Sequence, residues 1–155
     1  MLKNGNEINR LGKIEQGSTT SDYHPGEKAR QISIHSTPLH ITWEETKFNL
    51  IDTPGYSDFI GEAMGALNVV DMAVITIHAV SGLEVGTETM WNYAKDLGIP
   101  KMLVVNGLDR EHTKFEEILD QARKQFGGNV FPMQLPVNPG PGYNQNVDVL
   151  RTELI

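Results

Sequence analysis

An α/β fold built on a mainly parallel sheet is the class this sequence predicts, and three observations predict it. Apolar runs of strand length, at 72–80 and 101–106, alternate with stretches whose apolar residues recur at helical spacing. Those helical stretches are long enough to cross between strands, which is how parallel strands are joined. Two of the strand-like runs lead into acidic turn segments, Asp52-Thr53-Pro54-Gly55 and Asn106-Gly107-Leu108-Asp109.

In chain order, residues 1–30 are polar, rich in Gly, Asn, Ser, Thr and charge, and hardly periodic, which predicts a mobile loop. From Ile32 the pattern turns strand-like through Ile34, Leu39, Ile41 and Trp43. Glu44-Glu45-Thr46 then bends it back into 47–52 as an antiparallel hairpin. Phe59, Ile60, Ala63, Met64, Leu67 and Val70 give a helix one apolar face. Residues 72–80 are almost continuously apolar, as in a strand covered on both faces. Met90, Tyr93, Ala94 and Leu97 mark a second helix, stopped by Gly98 and Pro100, before a strand at 101–106. Phe115, Ile118, Leu119, Ala122 and Phe126 mark the next helix, with Gly127 past its end, and 130–135 reads as the last strand. The stretch PVNPGPGY at 136–143 is too rich in Pro and Gly for regular structure and reads as a linker.

Composition narrows the function. A chain of 155 residues is one domain's worth, able to bury a core. A net charge of −7 argues against gripping nucleic acid, which needs a basic face. The absence of cysteine excludes disulfides and thiolate metal sites and suits a cytoplasmic setting. The opening MLKNGNEINRLG lacks the apolar stretch of a signal peptide, and no apolar run approaches the ~20 residues of a membrane span, so a soluble protein with no membrane partner is expected.

The chemistry is concentrated in the two turns. In 47–57, KFNLIDTPGYS, the carboxylate of Asp52 falls at a strand end, and Pro54 and Gly55 turn the chain so that backbone N–H groups can approach a phosphate oxygen. The same four residues also suit a plain turn leaving a strand. Asn106 to Asp109 likewise suits either a ligand-reading loop or a turn whose aspartate caps the next helix. In an open parallel sheet both would face one crevice beyond the strand ends. The five histidines, His24, His35, His40, His78 and His112, show no metal-ligand spacing beyond His35 and His40. Met90 and Trp91 suit a core or helix face.

DTPGYSDF, DMAVITIHAVSGLEVGTETMWNYAKDLGIPKMLVVNGLDRE and RLGKIEQGSTTSDYHPGEKARQISI together resemble the GTPase domain of elongation factor G, with Tyr56 and DYHPGEKARQISI nearer its divergent elongation-factor-G-like branch. The resemblance implies a P-loop NTPase-like, three-layer fold, GTP or GDP with Mg2+ as cofactors, and a ribosome-linked role in GTP-driven translocation. It implies that Asp52 and Ser33 serve Mg2+, that Thr53 and Gly55 line the nucleotide, with the Gly55 N–H sensing the γ-phosphate, and that Tyr56 stands where a histidine positions the attacking water. A phenol with pKa ~10 stays protonated at neutral pH and orients water only through its hydroxyl. Without the resemblance, Ser33 is simply a polar residue alternating on a strand.

Asn106 and Asp109 match the family's base-reading motif, in which the aspartate takes hydrogen bonds from guanine N1–H and N2–H2 and rejects adenine. Gly107 replaces that motif's lysine, so in a version restored with its upstream segment a lysine at 107 is expected to tighten nucleotide binding. A search for G-x-x-x-x-G-K-[ST] finds no match. The expectation is therefore a partial domain lacking the P-loop and the first central strand, and inactive alone. It divides into a flexible segment at 1–31, a partial GTPase core at 32–135 and a linker or insert at 136–155. The alternative is a non-catalytic remnant or interaction module that has lost nucleotide binding.

Overall fold

The computed structural model describes residues 2–155. Contacts divide the chain into two compact units that meet in sequence between Val70 and Asp71.

In the first unit, a single 3-10 turn at Ile14–Gln16 precedes helix α1, Pro25–Arg30. Pro25 starts this helix where its missing N–H costs nothing. His24 caps it, with Nδ1 accepting from Gly26 N–H at 3.2 Å, and Gln31 closes it in the left-handed conformation. The segment read as a mobile loop therefore carries a capped helix, and periodicity missed it because six residues are too short to show a face. Strands β1, Thr37–Trp43, and β2, Thr46–Asp52, form the expected antiparallel hairpin, pairing Trp43 with Thr46 and Thr37 with Asp52. Glu44 and Glu45 make its two-residue turn, both at positive φ, the geometry that matches the twist of the flanking strands. Helix α2, Ile60–Leu67, buries Ala63 and Leu67, as its apolar spacing predicts.

The strand expected from Ile32 begins only at Thr37. The backbone donors of residues 34 to 36 are spent on side-chain carboxylates instead of on a ladder. Glu27 takes the N–H groups of Ile34 and His35, each at 3.0 Å, and Glu62 takes that of Ser36 at 2.7 Å.

In the second unit, β3, Ala73–His78, and β4, Lys101–Asn106, pair in parallel from Ala73 opposite Lys101 to His78 opposite Asn106. Helix α3, Val85–Asp96, makes the crossover between them, and Gly98, at φ +69°, ends it where the sequence placed a stop. Burial along β3 alternates: Ala73, Ile75 and Ile77 are buried, while Val74 is half exposed. The expectation of a strand covered on both faces is thus corrected, since an apolar run records what the residues tolerate and not how many layers cover them. Helix α4, Phe115–Phe126, buries Ile118 and Ala122, and its Phe126 stacks on Trp91 at 4.2 Å between centroids, with Lys101 Nζ 5.3 Å from the same ring.

The last part of the chain departs from expectation. The strand read at 130–135 is instead β5, Gln134–Val137, and the supposed linker folds back as β6, Gln145–Asp148, and β7, Glu153–Leu154, in an antiparallel three-stranded sheet. Its connecting loop holds the glycines, with Gly140 and Gly142 at positive φ, so the Pro and Gly content marks a tight connection between paired strands. Among the described residues no helix is long and apolar enough to cross a membrane.

Candidate functional site

In the first unit, Asp52 is the last residue of β2 and is exposed, with no ion pair among the described residues. Thr53 is half-buried and Pro54 buried, so this turn is anchored through its middle. Gly55 emerges from it into open space, where an added Cβ would meet nothing within 4 Å. Gly55 is itself exposed. Tyr56 follows, 59% exposed, at the start of a single 3-10 turn, Ser57–Phe59.

Ser33 lies in the loop between α1 and β1, and its hydroxyl donates to Asp22 Oδ1 at 2.7 Å. The reading of Ser33 as a strand residue is thus corrected. Hydroxyl and carboxylate oxygens are the hard donors that Mg2+ takes, alongside the waters it keeps. Ser33 and Asp22, joined by that hydrogen bond, are donors of that type, as is Asp52 at its own strand end.

What fixes the Ser33 loop is a set of carboxylates that sequence reasoning missed. Glu27, 1% exposed, accepts from the N–H groups of His24, Ile34 and His35, each at 3.0 Å. Burial pushes its carboxyl up, but those three donors and the His35 ring beside it outweigh burial and hold it below the ordinary 4.5. Glu62 is also held below 4.5, chiefly by the Ser36 N–H, while the Ser36 hydroxyl donates to the Glu62 carbonyl at 3.3 Å. The Thr37 hydroxyl donates to Ser21 O at 2.9 Å. One signal in the sequence marks Glu27: it stands three residues after His24 with Pro25 between, the spacing of a capping box.

Both carboxyls are more acidic folded than free. The stability they contribute is therefore fully present above pH 4.5 and is lost as the pH falls through their lowered folded values. Thermal melts of the wild type and Glu27→Gln should differ at pH 6, and the gap should shrink as the pH drops below about 4.5. A gap that stays constant down to about pH 3 contradicts the assignment.

In the second unit, Asn106 ends β4 and its Oδ1 accepts from the Gly107 N–H at 2.9 Å. Arg110 N–H donates to Gly107 O at 3.2 Å, closing a tight turn over residues 107–110. Asp109 is exposed at its tip, with no ion pair among the described residues. Asp109 does not cap α4: its N-cap residue is Lys114, which makes no capping side-chain bond. The base-reading alternative for this loop therefore keeps its acceptor free, at the C-terminal end of a parallel strand, where ligands of such sheets bind.

Residues 1–153 match the family described as "Elongation factor Tu GTP binding domain". The chain is 36% identical over 160 residues to the mitochondrial ribosome-releasing factor 2 of Debaryomyces hansenii, a match covering 100% of this chain and 19% of that protein. It is 35% identical over 150 residues to elongation factor G 2 of Treponema pallidum, covering 97% of this chain and 22% of that one. A crystal structure from Thermus thermophilus superposes with a TM-score of 0.92 at 33% identity, covering 99% of this chain and 23% of that chain. The chain thus spans only 19–22% of the length of these curated relatives.

This coverage corrects the expectation drawn from the missing phosphate-loop consensus. Against the expected truncated domain and partial fold without its first central strand, the family match runs from residue 1 to 153 and the fold is shared over 99% of the chain. That match also overturns the non-catalytic remnant and the inactivity inferred from it. The family likeness is carried by the chain throughout and not by one consensus segment.

Proposed function

The chain belongs to the elongation factor Tu GTP binding domain family, and from that premise we propose that it acts as the GTPase domain of an elongation-factor-G-like translation factor, hydrolysing GTP to drive a step on the ribosome. Membership makes GTP or GDP its nucleotide and Mg2+ its cation. The observation that carries the proposal is the free carboxylate of Asp109 on a turn braced by Asn106, inside a chain matched to the family over residues 1–153.

Each residue has a task in this reading. Asp109 accepts from the guanine N1–H and N2–H2, and Asn106 holds its loop in shape. Gly55 presents its N–H to the γ-phosphate with no side chain in the way, and Thr53 lines the same turn. Ser33 and Asp52 supply hard oxygens to Mg2+, which when bound neutralises charge developing on the phosphate oxygens. The Tyr56 hydroxyl orients the attacking water by accepting or donating a hydrogen bond. Because the Ser33 loop is held by carboxylates at its edges, it is suited to change its order with the nucleotide state.

The ribosomal step is translocation, as in elongation factor G, and a relative named for ribosome release fits the same class of partner. With a net charge of −7, this segment leaves contact with RNA to other parts of the protein. We place the protein in the cytoplasm.

Single-turnover release of phosphate from GTP with Mg2+ tests the proposal. Tyr56→Phe should slow that release on the order of a hundredfold while leaving nucleotide affinity unchanged, because only the water-orienting hydroxyl is lost. Wild-type protein that releases no phosphate contradicts the GTPase reading, and an unchanged rate in Tyr56→Phe removes Tyr56 from the chemistry.

A further inference from the structure

Gly107 sits at φ +80°, and a Cβ built there would stand 3.6 Å from Arg110 Cδ, 3.7 Å from Arg110 Nε and 3.5 Å from His78 Nε2. The Arg110 side chain thus runs alongside the face of Gly107, within contact distance of where a residue-107 side chain would begin. The turn itself brings it there, through the Arg110 N–H bonded to Gly107 O. The expectation that a lysine at 107 tightens binding is corrected by this geometry. Any L side chain at that φ is strained, although its Cβ would meet Arg110 and His78 only at ordinary contact distance.

Arg110 is exposed and makes no ion pair among the described residues, so its charge and its planar face are uncommitted. It is the immediate neighbour of Asp109, whose carboxylate is likewise unpaired. One side chain offers in-plane acceptors and the next a flat cation, the two surfaces by which a nucleobase is held on its edge and on its face.

We propose that Arg110 is the base-stacking residue of this loop, its guanidinium plane covering the face of the base that Asp109 reads at the edge. The proposal rests on the guanine-nucleotide reading above and adds the residue that supplies affinity without choosing the base. Stacking acts on the π face common to all bases, whereas the Asp109 contacts depend on the edge donors of the base, its ring N1–H and exocyclic N2–H2.

GDP and inosine diphosphate are titrated into the whole chain and into Arg110→Ala and Arg110→Lys. Arg110→Ala should weaken both nucleotides about tenfold and leave their ratio unchanged. Arg110→Lys should recover less than half of that loss on a logarithmic scale, because an ammonium restores charge but not the plane. Unaltered affinity in Arg110→Ala, a loss confined to GDP, or full rescue by lysine would each overturn the stacking role. If the wild type still binds GDP in those cases, the proposed function stands. A wild type that binds neither nucleotide overturns the proposed function and this inference together.

Discussion

Asp109→Asn is expected to lower affinity for GDP by about a hundredfold or more, the scale of a mispaired buried polar group, and to shift preference toward xanthosine diphosphate. A carboxylate faces the guanine N1–H and N2–H2 with two acceptors. An amide replaces one of them with a donor, which meets N2–H2 head on but suits the oxygen that xanthine carries at the same position. The exposed setting of Asp109 on its turn makes the substitution structurally mild, so the thermal melt should barely move. Competition titrations with the two diphosphates decide the matter. Equal GDP affinity in wild type and mutant would reduce the 106–109 segment to an ordinary turn.

Glu27→Ala is expected to be the most destabilising single change in the first unit. It leaves three backbone N–H groups, of His24, Ile34 and His35, without the carboxylate that now accepts from them. At ~1–3 kcal/mol for each buried donor left unpaired, the cost is roughly 3 kcal/mol or more, reduced to the extent that water reaches the loop. That corresponds to a melting point lower by about 10 °C for a protein of this size. The change also frees residues 34 to 36, next to Ser33, so Mg2+-dependent tightening of GTP binding should weaken with it. A melting point within about 2 °C of wild type would show that the loop is held by something other than Glu27.

The elements were legible in the sequence where an apolar period and a stop signal coincided. Residues 85–98 and 115–127 show both, and helices α3 and α4 follow them closely. The hairpin was legible from the alternation ending at Asp52. Elements held by side chain to backbone bonds left no such pattern. Ile32 and Ile34 alternate like a strand, yet their neighbourhood is claimed by Glu27, a residue distant from it in pattern though near in space. The C-terminal strands were hidden for a different reason. At four, four and two residues they are shorter than any window in which alternation could be read, and the Pro and Gly between them drew the eye to the loop. At the site, residue identities were legible and conformations were not. Gly107 reads in the sequence as a lost lysine, and only its left-handed φ shows why a glycine belongs there.

The central claim is that this chain is a guanine-nucleotide domain, and calorimetric titration of the chain with GDP and with ADP, each with Mg2+, tests it most directly. The account predicts saturable one-to-one binding of GDP, lost on Asp109→Ala, and no saturable binding of ADP at the same concentrations. Equal heats for the two nucleotides, or no binding of either, would contradict it.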